Sequence, residues 1–126
     1  MSSNTTNAAT NTNATTQPIN NDYEYIQYNQ RLRIIHSKQD DMYQMQSIIT
    51  ACQSNKLCKD WFRNQSTIDI IDELSTGENL PLEKLYEKRD DLPNGIRGFY
   101  VHRLLVNHVA MWASPRYSIY IMKLLD

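Results

Sequence analysis

Residues 95–126, GIRGFYVHRLLVNHVAMWASPRYSIYIMKLLD, constrain the fold of this 126-residue chain more than any other stretch. Asn94-Gly95 supplies two residues that tolerate positive φ, and Gly98-Phe99-Tyr100-Val101 has strand composition. The apolar period then changes from two to 3.6. Val101, Leu105, Val109 and Trp112 fall on one face of a helix running from about residue 102 to 113. Ser114 at the N-cap and Pro115 in the first turn open a last helix, and Ile119, Met122 and Leu125 continue the apolar stripe there. Residues 85–88 pair with 98–101 as a long hairpin across a turn built from Asp90, Asp91, Pro93, Asn94 and Gly95. The competing assignment is a one-turn helix opened by Pro81.

Upstream, residues 31–46 read as a second hairpin. Arg31 to Ile34 alternates, Asp40-Asp41 supplies the turn, and Met42 to Met45 alternates again. Residues 21–30 are aromatic without helical spacing, which suits an edge strand or an ordered arm. A short helix capped by Ser47 is expected over 47–54, with Ile48, Ile49 and Cys52 inward. In the next segment Leu57, Trp61 and Phe62 are expected to bury. A helix N-capped by Ser66 then presents Ile68, Ile71 and Leu74 on one face and stops at Gly77.

Composition divides the chain. The first nineteen residues carry no charge and no aromatic ring, and are mostly Asn, Thr, Ala and Ser. They cannot bury enough apolar surface to offset their ordering entropy, so residues 1–20 are expected to be a disordered tail and 21–126 a single domain. Sequons at Asn4 and Asn13 are what Asn and Thr at this density produce by chance. No basic n-region precedes an apolar run, as a signal peptide requires, and no run reaches membrane-span length. The two cysteines, Cys52 and Cys58, lack CxxC spacing and a companion histidine pair, so no zinc site or cofactor is expected. Both suit reduced thiols of an intracellular protein.

No sequence signature of catalysis appears. His102 and His108 are six apart, which does not put them on one helical face as metal ligands. His36 stands alone in a strand. Asp69, Asp72 and Glu73 form a solvated helix face most simply, and His102 suits a helix cap. The chain is therefore read as not an enzyme.

Charge is more informative. The net charge is −1, yet its distribution is uneven. Residues 51–67 carry Lys56, Lys59 and Arg63 against Asp60, and residues 94–126 carry Arg97, Arg103, Arg116 and Lys123 against Asp126. Residues 68–93 hold eight acids and three bases. Basic ends and an acidic middle are compatible with one basic face. KLCKDWFRNQST puts Lys56, Lys59, Arg63, Asn64 and Gln65 in one compact segment anchored by Trp61 and Phe62. Lys and Arg neutralise phosphate, Arg pairs with guanine, and Asn and Gln match the adenine edge. An ordinary surface helix with a Trp anchor remains the other reading of the same residues. Gly95-Ile96-Arg97-Gly98, at a hairpin tip, projects one cation where backbone can approach a partner. Alternatively both glycines merely satisfy the turn and Arg97 is solvated.

The run GFYVHRLLVNHVAMWASPRYSIYIMKLL resembles the closing signature of the KilA-N domain family, carried by Gly98, Tyr100, Val101, His102, Leu105, Ala110, Trp112, Ser114, Pro115 and Tyr117. LCKDWFRNQSTIDIIDEL is similar to an upstream segment of that family, through Leu57, Cys58, Trp61, Arg63, Asn64 and Thr67. The resemblance covers residues 31–126. It implies an α+β, winged helix-turn-helix-like core related to fungal APSES domains, with an N-terminal hairpin and a β wing, in a DNA-binding protein of a large DNA virus or phage. It implies double-stranded DNA as partner, with Lys56 and Lys59 on phosphate, Arg63, Asn64 and Gln65 at the groove, and Arg97 on the wing. The expected location is the host-cell cytoplasm, in viral factories, or the nucleus, with no membrane partner. Homo-oligomerisation and a host or viral protein partner are left open. Three features depart from the pattern: few wing glycines, His102-Arg103 in place of His-Pro, and the slightly acidic total charge. A RING finger, which makes some poxviral relatives ubiquitin ligases, has no Cys/His counterpart here. The competing reading is a protein-interaction module using residues 83–91 and Tyr23, Tyr25 and Tyr28.

Overall fold

The computed structural model describes residues 14–125. The frame is a six-stranded antiparallel sheet in the order β1-β2-β3-β4-β6-β5. Its strands are β1 Thr15–Pro18, β2 Tyr23–Gln27, β3 Arg33–Ser37, β4 Met42–Gln44, β5 Tyr86–Arg89 and β6 Gly98–His102. Helices α1 Met45–Ala51, α2 Cys58–Arg63, α3 Gln65–Asp72, α4 Leu82–Leu85, α5 Arg103–Ala113 and α6 Pro115–Leu124 complete the described residues, with a π-helical turn Glu73–Gly77 continuing α3. The whole is an α+β fold.

One pairing joins the two halves of the chain. β4 lies against β6, with Met42 opposite His102, Tyr43 opposite Val101 and Gln44 opposite Tyr100. Each of these strands runs straight into a helix, β4 into α1 and β6 into α5. Ile34, Tyr43, Ile48, Ile49, Trp61, Leu85, Val101, Leu105, Val106, Val109 and Ile121 form one core. Tyr23, Ile35, Met42, Ile96 and Tyr100 form a second, smaller one. Successive strand residues point to opposite faces, so adjacent buried pairs such as Ile34-Ile35 and Tyr100-Val101 mean that both faces are covered there. Met42 to Met45 are all buried for the same reason, and the expected alternation ends at Gln44, where the helix takes over.

The 85–88 and 98–101 hairpin forms one residue out of the expected register, with Tyr86 opposite Val101 and Arg89 opposite Gly98. The one-turn helix that competed with it also exists: Pro81 is the N-cap of α4, immediately before β5. Residues 21–30 contribute β2, which is interior. β5 forms one edge of the sheet, and the opposite edge, beside β2, is β1, from the stretch expected to be disordered. Its four side chains are exposed, and backbone pairing from Thr15↔Gln27 to Pro18↔Glu24 holds it. The rest of that tail, residues 1–13 with both sequons, lies outside the described residues.

Several helix expectations are corrected. α1 begins at Met45, and Ser47 instead accepts from the Ile35 amide at 2.9 Å and donates to the Gln44 carbonyl at 2.8 Å. Asn64, not Ser66, caps α3 by accepting from the Ser66 amide. Ser114 occupies the N-cap of α6 without a side-chain cap bond. Leu57, Ile68 and Ile119 are exposed. On α6 the buried stripe is Ser118, Ile121 and Leu124, because packing against α5 fixes the helix rotation, while Leu125 just beyond the helix is buried as expected. Ser118 tolerates this position by donating to the Pro115 carbonyl at 2.8 Å. His102 caps α5 as expected, its Nδ1 accepting from the Leu104 amide at 3.0 Å.

Candidate nucleic-acid interface

Trp61 sets the position of α2. It is fully buried, and its indole N–H donates to His108 Nδ1 of α5 at 3.0 Å. An indole nitrogen can only donate, so Nδ1 is the acceptor and the neutral imidazole carries its proton on Nε2. That proton points to Ser66 Oγ at 3.0 Å, and Ser66 donates to Asn64 Oδ1 at 2.8 Å. The chain Trp61-His108-Ser66-Asn64 ties the α2–α3 junction to α5. Burial holds the His108 pKa below 6.5, which keeps the ring neutral as the chain requires.

The five upstream candidates therefore divide. Lys59 and Arg63 are exposed on α2, and Arg63 pairs with Asp60 at 3.7 Å, an exposed pair of little energetic weight. Gln65 opens α3 and donates to Asp69 at 2.9 Å. Asn64 Oδ1 accepts from both the amide and the hydroxyl of Ser66, so this atom is engaged in capping. Lys56 lies outside the helix. Its ammonium donates to the Trp112 carbonyl at 2.7 Å, near the C-terminus of α5, and sits 5.1 Å from the Trp112 ring. A cation there satisfies one of the last helix carbonyls. The compact helical segment expected from 56 to 65 is thus a linker, a six-residue helix and a cap.

The second cationic element is the β5–β6 turn. Gly95 and Gly98 have φ of 94° and 121°. A Cβ at either would meet no atom within 4 Å, so backbone conformation alone calls for glycine. The turn does not stand away from the domain. Ile96 is buried, Tyr100 Oη donates to its carbonyl at 2.5 Å, and Gln44 Nε2 donates to the Gly95 and Arg97 carbonyls at 3.2 and 3.0 Å. The turn is folded onto the sheet, and the Arg97 side chain remains exposed without an ion-pair partner among the described residues.

Phe62 joins the two elements. Its ring lies 4.8 Å from Phe99 and 5.1 Å from Tyr86, on β6 and β5. Lys88 Nζ lies 5.7 Å from the Phe99 ring centroid, which adds a cation beside the seam. Lys88 stands opposite Phe99 in the register, and the hairpin assignment, shifted by that one residue, would have found it. Lys88 also lies 3.9 Å from Asp90, an exposed pair. A further group of acids, Asp40, Glu83 and Glu87, lines a cleft with Met42, Lys84, Arg89 and His102.

Arg89 is nearly buried and structural. It pairs with Asp40 and with Glu87, donates to Tyr23 Oη at 3.2 Å and lies 4.6 Å over the Tyr100 ring. Tyr23 is itself buried and Tyr25 is covered by the Arg33 guanidinium at 3.8 Å, so these tyrosines are not an open docking arm. The three histidines have separate partners. His36 stacks on Tyr43 and bonds to Glu24 and Asp41, while His102 and His108 serve the cap and the Trp61 chain. Among the described residues no group of three or more His, Cys, Asp or Glu could hold a metal, and no helix is long and apolar enough to cross a membrane. Burial pushes the Cys52 thiol up to about 11 and also raises Cys58.

Residues 26–126 match the KilA-N domain. A KilA-N domain-containing protein of Acanthamoeba polyphaga mimivirus is 36% identical over 66 residues, which is 52% of this chain and 18% of that protein. An uncharacterized protein of fowlpox virus (strain NVSL) is 25% identical over 115 residues, 87% of this chain and 74% of that protein. This chain therefore spans only a small part of the mimivirus relative. No solved structure matches.

Proposed function

The chain belongs to the KilA-N family, found in large DNA viruses, and from that premise we propose that it binds double-stranded DNA through α2 and the β5–β6 hairpin. In this reading α2 and α3 act as the helix pair and the hairpin as the wing of a winged helix-turn-helix. The observation that carries it is the Phe62–Phe99 contact. Phe62 is flanked by Lys59 and Arg63, while Phe99 follows Arg97 by two residues and lies beside Lys88. Lys88 thus lies beside one aromatic seam, and the exposed Lys59, Arg63 and Arg97 are within three residues of its two rings along the chain. Lys59 and Arg63 make the outer contacts, Arg97 and Lys88 reach phosphates from the hairpin, and Gln65 stands at the helix start. The reading needs no catalytic step and no cofactor, and it places the protein inside the host cell where viral DNA is handled.

Duplex binding followed by fluorescence anisotropy against salt tests this. Each phosphate contact removed lowers the slope of log affinity against log salt by about one. Lys59→Ala, Arg63→Ala and Arg97→Ala should each weaken binding and flatten the slope with little change in melting temperature. Lys56→Ala should do the opposite, lowering the melting temperature and leaving the slope intact, because its partner is the Trp112 carbonyl. Wild-type affinity and slope in the first three variants would remove the reading.

A further inference from the structure

A second, separate feature lies across the helical side. The β2–β3 loop, the end of α1 and the start of α6 enclose a surface cleft of about 670 Å³. Asn29, Arg31, Gln53, Arg116, Tyr117 and Tyr120 carry its chemistry. The volume is in the range of small-molecule sites. Two guanidiniums, two phenol rings and three side-chain amides, counting Gln30, face a space that no carboxylate lines among the described residues. Tyr117 and Tyr120 stand with centroids 6.3 Å apart on successive turns of α6, and Tyr120 is exposed. Arg116 lies 5.6 Å from the Tyr117 ring.

The cleft continues. Gln30, Arg31 and Ala51 also line a neighbouring cleft of about 260 Å³, with Arg33, Gln46 and Thr50, that reaches Gly95. Here too no carboxylate among the described residues contributes. Together the two make a path from the hairpin turn to α6 with Arg33, Arg31 and Arg116 spaced along it. The loop at its centre is held in shape: Asn29 Oδ1 accepts from the amides of Arg31 and Leu32 at 2.8 and 3.0 Å.

We infer that this path binds a single-stranded nucleic acid, with a base stacked on Tyr120 and Tyr117 and successive phosphates on Arg116, Arg31 and Arg33. Three properties select this class. An anionic ligand is required, because the described lining is cationic and lacks acids. An aromatic ligand is required at the α6 end, where the exposed Tyr120 ring, beside the half-buried Tyr117, offers stacking that every base can use. The ligand is a chain, because the cations run on beyond one nucleotide-sized cleft. A closed duplex keeps its bases stacked inside, so only an unpaired strand can use the tyrosines. This site goes beyond the duplex-binding reading and does not depend on it.

The test uses the full chain with a labelled oligothymidylate and, in the same buffer, a labelled hairpin duplex. Tyr120→Ala should lower oligothymidylate affinity at least about fivefold, the low end of base stacking on an aromatic side chain. Tyr120→Phe keeps the ring face and should bind like wild type. Arg116→Ala should weaken the single strand and reduce its salt slope by about 0.7. Both positions, Tyr120 and Arg116, are at the surface, so circular dichroism should show unchanged folding. Lys59→Ala and Arg63→Ala should weaken the duplex far more than the single strand. Oligothymidylate binding unaffected by Tyr120→Ala, or equally weakened by Tyr120→Phe, would overturn the inference. So would equal loss for both nucleic acids in Tyr120→Ala, or competition by inorganic phosphate as effective as by thymidine nucleotide. Duplex binding without single-strand binding would sink this site and leave the proposed function standing. The reverse result would sink the duplex reading alone.

Discussion

His108 shows how much one side chain can decide. It accepts from a fully buried indole and donates to the serine beside the α3 cap, so it is at once a core hydrogen-bond partner and a support for the exposed helix. Only the neutral ring with its proton on Nε2 can do both, and burial keeps its pKa below 6.5. The unfolded chain therefore binds the proton more readily than the folded one. The stability contributed by neutral His108 is complete above about pH 6.5 and is lost as pH falls through the folded pKa. Urea titrations between pH 7 and pH 5 should show this decline, and His108→Gln, which still offers an oxygen to Trp61, should flatten it. His108→Leu should cost about 1–3 kcal/mol at pH 7, from the indole left unsatisfied. A variant curve that declines as steeply as wild type would assign the pH dependence to another group. The sequence marks His108 only by its poor spacing for metal, because its partners, Trp61 and Ser66, lie 47 and 42 residues away.

At the scale of elements, α2 is too short to hold its own shape or orientation. Six residues make fewer than two turns, and isolated helices of that length are not stable in water. Its position comes from Trp61 beneath it and Phe62 against the β5–β6 hairpin. Phe62→Ala should therefore act on binding more than on stability. Because the ring is only half-buried, the loss in denaturant unfolding should be about 2 kcal/mol, below the roughly 3–5 kcal/mol of a fully buried Phe→Ala. Duplex affinity should fall further than in Arg63→Ala alone, because both cationic elements lose their common support. Phe62→Leu, which preserves apolar contact, should recover most of the stability. Affinity equal to wild type in folded Phe62→Ala would mean that the seam does not organise the surface. The β5–β6 hairpin itself was legible from Asn94-Gly95 and the strand composition after Gly98. Its docking onto the sheet was not, because Gln44, which holds it, is 51 and 53 residues distant from its acceptors.

For the molecule as a whole, the separation of charge is the property that matters. Asp40, Glu83 and Glu87 cluster at the Arg89 side of the sheet, whereas two clefts that no acid lines among the described residues run from the hairpin turn to α6. The acidic side also contributes to stability. Burial acts to raise the Asp40 and Asp41 pKa values. It is outweighed for Asp40 by hydrogen bonds from Ser37 and Arg89 and by the Arg89 charge, and for Asp41 by His36 and Tyr43. Both pKa values end below 3.8, so their contribution is present above about pH 4 and lost as pH falls through the folded values. Asp40→Asn should lower the melting temperature at pH 7 and make the acid limb of the stability curve shallower, with duplex affinity unchanged or improved. An acid limb as steep as wild type would exclude Asp40 from this role. By itself the sequence determined the period of each long element, the glycine-dependent turn, the His102 cap and the family, since these depend on neighbours within a few positions or on a pattern carried residue by residue. Tertiary structure alone decided that Lys56 serves a helix end, that Tyr23 is core, that an apparently structureless Thr15–Pro18 is an edge strand, and that three arginines line one path. Those outcomes depend on which distant backbone or side chain completes a hydrogen bond or excludes water, and local composition does not encode that distance.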